Sequence, residues 1–350
     1  MRLGIIGLPG SGKTTVFNAL TGSSAQVAQF SGGQQGPNLA VVKVPEPRLS
    51  LLTDLYHPKK VTEATVEYVD VAGLTGSTDQ QQLGDAFLSH IRPVDALVHV
   101  VRNFPHPLHG DPEPYADIEK VDLELMLADL LVIEKRLDRI AHDKKRGKKE
   151  NPQEVQLLLT CKELLEKDVP LRRQADTFAD PLLRGYSFLS MKPLLLLFNQ
   201  PEEQEHLELI DVRDKVQDPV EEIIGKLEME LAQLPAHEAE EFMIEMGVES
   251  LARERLIHAS FKLLNLISFF TANEQEVRAW TVKRGTAALK AAGVVHSDME
   301  RGFIRAEVVS YTDLQAAGSY SEAQKQGRVR LEGKEYEVKD GDVIFFRFHV

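Results

Sequence analysis

The chain has 350 residues, with 41 basic against 54 acidic side chains, a formal charge of −13 and one cysteine, Cys161. A hydrophobic fraction of 43% and a charged fraction of 27% are ordinary for a globular protein, at a length that suits two or three domains. These figures exclude a chain that coats nucleic acid indiscriminately, an internal disulfide and a cysteine-based metal cage.

No run approaches the roughly 18 apolar residues of a membrane span, so no membrane contact is expected. The first residues enter a strand without a cationic leader or cleavage site, which predicts a cytoplasmic location. Leu3–Ile6 is that strand. Gly7–Thr15 follows and fits G-x-x-x-x-G-K-[ST] with Gly7, Gly12, Lys13 and Thr14, and Val16–Leu20 reads as the first turns of a helix. Strand, loop and helix together make this a phosphate site. Glycines let backbone N–H groups converge on phosphate oxygens, and the helix N-terminus adds a positive dipole. Gly10, Ser11, Gly12, Lys13, Thr14 and Thr15 are therefore the expected nucleotide-binding residues. Lys13 bridges the β- and γ-phosphates as the catalytic cation, and the Thr14 hydroxyl is a Mg²⁺ ligand.

Thr21–Pro37 is rich in Gly, Ser and Gln and lacks apolar periodicity, as expected of a mobile switch loop. Leu39–Val44 reads as a strand stopped by Pro45 and Pro47, and Ala64–Val71 as its hairpin-like partner. The second strand ends on Asp70-Val71-Ala72-Gly73, a D-x-x-G pattern at the edge where open α/β sheets bind ligands. Asp70 is expected to hold Mg²⁺ through water, and the Gly73 amide to reach the γ-phosphate. Leu74 stands where many GTPases carry the glutamine that orients the attacking water, so another group has that task. His106 and His109, in a proline-rich loop after the strand Asp95–Arg102, are the nearest candidates by sequence, and His109 is assigned as catalytic.

Gln80–Ile91 is predicted helical. A long amphipathic helix, Ile118–His142, carries Leu123, Leu127, Leu130, Leu131, Leu137 and Ile140 at helical spacings, and a second helix spans Gln153–Lys167. The tip between them carries Lys144, Lys145, Arg146, Lys148 and Lys149. This is a helical hairpin or coiled coil, and its basic tip is either a solvated helix end or a dock for RNA phosphate.

Leu194–Phe198 resumes the sheet and leads into Asn199-Gln200-Pro201-Glu202, where translation-type GTPases carry N-K-x-D. Asn199 and Glu202 are the expected base contacts. Glu202 aims its carboxylate differently from an aspartate, and Gln200 replaces the lysine whose stem packs on the base, so guanine preference weakens and adenine is accepted. Val220–Ala252 reads as acidic helix, with Leu227, Leu231 and Leu234 on one stripe, and Leu251–Phe270 as a further apolar helix. From Val277 the texture alternates in the strand manner, in Glu276–Val282, Phe303–Val309 and Val343–Phe348, as in a small separate β-rich domain.

Over nearly its whole length the chain resembles the YchF subfamily of Obg-like P-loop NTPases. The most specific blocks are Gly7–Thr15, Asp70–Gly73 with Leu74, Val277–Thr281, Gly302–Val308 and the ending Leu331–Tyr336 through Asp340–Val343. The resemblance implies an α/β P-loop NTPase (G) domain at residues 1–108 and 186–268, an inserted α-helical hairpin at 109–185, and a β-rich α+β TGS-like domain at 269–350. It implies ATP in preference to GTP, Mg²⁺ as cofactor and a ribosome or RNA partner, with no DNA. The family's first switch usually reads F-P-F-C-T-I-E-P-N. Here Gln34 stands for its threonine and Gly33 for its cysteine, and Gly10-Ser11 replaces the usual Asn-Val of the phosphate loop. The family's serine-alanine base loop is degenerate near Gly225-Lys226, so the chain reads as a divergent paralogue. Two other readings stay open. One is a nucleotide-gated RNA- or ribosome-binding module with vestigial hydrolysis. The other is a P-loop small-molecule kinase, which Asp70–Gly73 and the C-terminal domain disfavour.

Overall fold

The computed structural model describes residues 1–22, 38–71, 84–175, 177–178, 180–202, 214–245 and 251–349. Contacts divide the chain into one unit of residues 1–40 and 67–256 and a second of 41–66 and 257–350. The sequence boundaries put 41–66 in the G domain. Its grouping with the C-terminal residues has a physical cause, given below.

The first sheet is built around β1 (Arg2–Ile6), which pairs in parallel with β4 (Thr65–Asp70) on one side and β5 (Ala96–Arg102) on the other. Then follow β6 (Leu194–Asn199) and β7 (Val220–Ile223), both parallel, and β2 (Asn38–Lys43) lies outside β4, giving the order β2-β4-β1-β5-β6-β7. Every residue of β5 and β6 is buried, as expected of parallel strands covered on both faces. The first unit also holds α1 (Lys13–Thr21), α3 (Asp85–Ile91), α4 (Pro114–Lys145), α5 (Pro152–Leu165), α6 (Pro181–Arg184), α7 (Gly225–Leu231), α8 (Ala236–Glu245) and the start of α9 (Ala252–Leu263).

One correction falls here. Val220–Ile223 is a strand, not the start of an acidic helix. Its two glutamates sit on a half-exposed outer strand, and the ladder to β6 decides its conformation over propensity.

The helical hairpin is present, with α4 extending past the expected Ile118–His142 at both ends and α5 ending at Leu165, before the expected Lys167. Near its start, α4 buries Ile118, Val121 and Leu125 in the sheet core with Ile6, Leu97 and Phe198. Further along, Met126 and Ile133 join Leu158, Cys161 and Leu165 of α5 in a second core. Burial pushes the Cys161 thiol up to about 12, so it is an inert core residue. Asp129 of α4 ties the hairpin down, accepting hydrogen bonds from the Leu189 and Ser190 amides at 2.8 and 2.7 Å and from the Ser190 hydroxyl at 2.8 Å.

The second unit contains α2 (Arg48–Tyr56) and β3 (Lys60–Thr62), two elements not anticipated from sequence, with β8 (Leu266–Ala272), β9 (Glu276–Lys283), β10 (Phe303–Ser310), β11 (Arg330–Glu332) and β12 (Asp342–Phe348). Helices α10 (Ala288–Val295), α11 (Ser297–Arg301), α12 (Tyr311–Ala317) and α13 (Tyr320–Lys325) complete it, and the strand order is β11-β10-β12-β8-β9-β3. Here lies a second correction. Leu266–Ala272 is a buried strand rather than the end of a helix, because a short continuous apolar run is ambiguous by periodicity. Asn265, at φ 51°, breaks the chain between α9 and β8. Segment 41–66 belongs to this unit because β3 pairs with β9 and Arg48 is clamped by Glu46 and Asp340 at 2.6 and 2.8 Å.

Candidate functional site

The phosphate loop joins β1 to α1 at the C-terminal edge of the parallel sheet. Gly12 precedes the helix at φ 88°, and a Cβ there would lie 2.2 Å from Asn199 Nδ2, so only glycine fits. Lys13 is buried and its Nζ donates to Leu8 O at 2.8 Å. Burial pulls its ammonium down to about 8, against the opposing attraction of Asp70. The Thr14 hydroxyl donates to Asp70 Oδ2 at 3.1 Å, and Asn38 Nδ2 donates to the same oxygen at 3.3 Å. Asp70 Oδ1 is buried with no hydrogen-bond partner among the described residues, as is the Ser11 hydroxyl. Thr14 and Asp70 thus form an all-oxygen donor set beside a buried cation, which suits a hard divalent ion next to phosphate. Thr15 is half-buried in the first turn of α1. Gly73, Leu74 and Gln34 lie outside the described residues.

The histidine loop closes on the phosphate loop. A Cβ on Gly10 would meet His109 Cδ2 at 2.7 Å and Nε2 at 3.1 Å, with His106 Nε2 3.6 Å away. The two rings lie 4.7 Å apart, centroid to centroid. Burial, His109 and Arg102 all push the His106 pKa down. Arg102, at the end of β5, shapes this loop from inside. Its guanidinium donates to the carbonyls of Phe104, Gly110, His109 and Asp111 at 2.8, 2.8, 3.4 and 3.0 Å. Sequence reading missed Arg102, because an arginine that reads backbone carbonyls leaves no spacing signal.

Asn199 closes β6 and is buried. Its Nδ2 donates to Ser11 O at 3.1 Å, and its Oδ1 accepts from the Gly225 amide at 3.0 Å. One side chain therefore ties the phosphate loop to the segment after β7. A Cβ on Gly225 would lie 2.8 Å from that Oδ1. Glu202 is exposed and meets Lys226 Nζ at 2.6 Å. Gln200, which stands for the lysine of N-K-x-D, is buried, accepting from Asn103 Nδ2 at 2.8 Å and donating to Glu222 Oε2 at 2.9 Å.

The basic tip is exposed, at the turn where Gly147 takes φ 81°. Lys144 pairs with Glu150 at 2.7 Å and Lys148 with Asp143 at 3.0 Å. Lys145, Arg146 and Lys149 have no ion pair among the described residues.

The structure thus brings Lys13, Thr14, Asp70, Asn199 and His109 to one edge of the sheet and places Glu202 against Lys226. A 50S ribosome-binding GTPase profile matches residues 2–155, and a YchF-GTPase C-terminal profile, described as a protein of unknown function (DUF933), matches residues 266–349. The chain is 42% identical to the ribosome-binding ATPase YchF of Bacillus subtilis (strain 168), with 100% of both chains covered. It is 39% identical to the protein of the same name from Haemophilus ducreyi, covering 100% of this chain and 99% of that one. Among solved structures, the Schizosaccharomyces pombe YchF GTPase superposes with a TM-score of 0.84 at 29% identity, covering 99% of this chain and 97% of that one. With a full-length match of this strength and an intact phosphate loop, the protein is a P-loop NTPase and belongs to the YchF family.

Proposed function

We propose that this protein is a Mg²⁺-dependent, cytosolic ATPase switch that acts on the ribosome and prefers ATP to GTP. The observation that carries the reading is the cluster of buried Lys13 and Asp70 with half-buried Thr14, in which one carboxylate oxygen of Asp70 has no hydrogen-bond partner among the described residues. Lys13 and the loop amides would hold phosphate charge, and Thr14 and Asp70 would hold the Mg²⁺, which would supply neutralisation of that charge. His109, across Gly10 from the loop, orients the attacking water in place of the absent glutamine. Asn199 sets the distance between the phosphate loop and the base-facing segment, and Glu202 accepts from the adenine 6-amino group.

Ribosome association is supported by relatives named ribosome-binding ATPases and by the exposed cations Lys145, Arg146 and Lys149 at the hairpin tip. The division of labour into G domain, helical hairpin and TGS-like domain remains the functional partition we favour.

The test is a calorimetric titration with ATP and with GTP, each with and without Mg²⁺, on the full chain and on Lys13→Ala. Tight ATP binding that needs both Mg²⁺ and Lys13 is expected. GTP binding about tenfold or more tighter than ATP would overturn the base assignment. ATP affinity indifferent to Mg²⁺ and to Lys13→Ala would overturn the site itself.

A further inference from the structure

We infer that the outward face of α4 pairs with the same face of a second copy of this chain, antiparallel about Leu127. Leu123, Leu127 and Leu131 recur at every fourth residue of α4 and are 44%, 40% and 50% exposed. Steps of four put all three on one face of the helix, one above the other. That face is turned away from the sheet, because Ile118, Val121 and Leu125 of the same helix are buried in the sheet core. Exposed leucines scattered singly need no partner, whereas a contiguous stripe on a 32-residue helix calls for one.

The charges on that face choose the occupant. Lys120 stands seven residues before Leu127 and Glu134 seven residues after it, so the three share one heptad row. Two antiparallel α4 helices crossing at about 20°, with Leu127 on the two-fold axis, bring Lys120 of each copy against Glu134 of the other. The contact is isologous, so this pair forms twice. A parallel pairing would instead set Lys120 against Lys120 and Glu134 against Glu134. Leu123 and Leu131 flank the axis, each about 6 Å from Leu127 along the helix. Lys120 is exposed, and Glu134 meets Lys162 at 2.8 Å with side chains 45% and 28% exposed, so sharing that carboxylate costs little. Three half-exposed leucines per copy offer on the order of a few hundred Å² in all, against roughly 1,600 Å² for a standard interface, so the dimer is weak and reversible.

The experiment is analytical ultracentrifugation of the full, nucleotide-free chain from about 1 µM to about 1 mM. The average mass should rise toward twice that of the chain, with a Kd between about 10 and about 500 µM. Leu127→Glu should weaken association by more than about tenfold, while Leu159→Glu, at a leucine 47% exposed on α5, should leave it unchanged. Lys120→Glu and Glu134→Lys each set like charges together in their own dimers and should each weaken association by about fivefold. An equimolar mixture of these two variants should restore it, because each reversed charge then meets its opposite on the other copy. A chain that stays monomeric to about 1 mM overturns the inference, as does a dimer indifferent to Leu127→Glu. A mixture that associates no better than its two components overturns the antiparallel register and the inference with it. If the chain stays monomeric while Leu127→Glu weakens ribosome sedimentation, the stripe docks on the ribosome and the second copy falls.

Discussion

At the phosphate-loop end of the sheet, Lys13 is 8% exposed and Asp70 3%, each fixed by hydrogen bonds to neighbouring groups. At the Asn199–Glu202 end, the side chains of Glu202 and Lys226 are 36% and 63% exposed and meet at the surface. The same Asn199 touches both ends. Removing one partner of a buried charge pair costs about 3–5 kcal/mol, whereas an exposed pair is worth about 0–1 kcal/mol. Substitution is therefore expected to cost more at the phosphate-loop end than at the Glu202–Lys226 end.

The contrast can be broken most severely at Lys13. Lys13→Ala should lower kcat/KM for ATP by about three orders of magnitude, measured by phosphate release. A loss under about tenfold would mean that burial does not mark the chemical end. His109→Ala should reduce kcat by about a hundredfold while KM moves less than threefold, since a water-orienting group acts on the step and not on ground-state binding. Equal changes in both constants would make the histidine loop a binding element. His106→Ala separates the two rings, and its effect should be the smaller because Nε2 lies farther from Gly10.

Acidity probes the phosphate end without a substitution. The folded-state pKa of Lys13 is lowered to about 8, so below that pH the side chain is already cationic, and above it phosphate binding must take up a proton. ATP affinity should be flat below pH 8 and fall by about tenfold per unit above it, until the bound-state pKa is reached. Lys13→Arg should flatten that fall. A pH-independent affinity in the unsubstituted chain would remove Lys13 from the phosphates. The smallest effect is expected at the hairpin tip, where Lys145→Glu with Lys149→Glu should weaken ribosome sedimentation by about fivefold and reduce its salt dependence. Unchanged binding would leave the tip a solvated helix end.

Much of this was legible in the residues alone. Gly7–Thr15 identified itself because nearly every position is dictated locally by backbone conformation and charge. β5 and β6 were legible because parallel strands covered on both faces must be apolar throughout. The helical hairpin was legible from leucine spacing. Reading failed at Val220–Ile223 and Leu266–Ala272, where a strand ladder overrode helical texture, and at α2, a nine-residue helix between Pro47 and His57 that buries Leu49 and Leu52. That Gln200 stands where the lysine would be was legible in the sequence, but its burial against Asn103 and Glu222 was not.

The sequence by itself determined the phosphate chemistry, since a phosphate loop is a local device whose donors are neighbours in the chain. It also determined the family. Only the tertiary structure decided which distant groups complete the site. Arg102 shapes the loop that lays His109 over Gly10, Asn38 joins Thr14 on Asp70, and Lys226 meets Glu202 across the end of the sheet. None of these partnerships has a fixed spacing, because each depends on how the ends of parallel strands far apart in the chain are brought side by side.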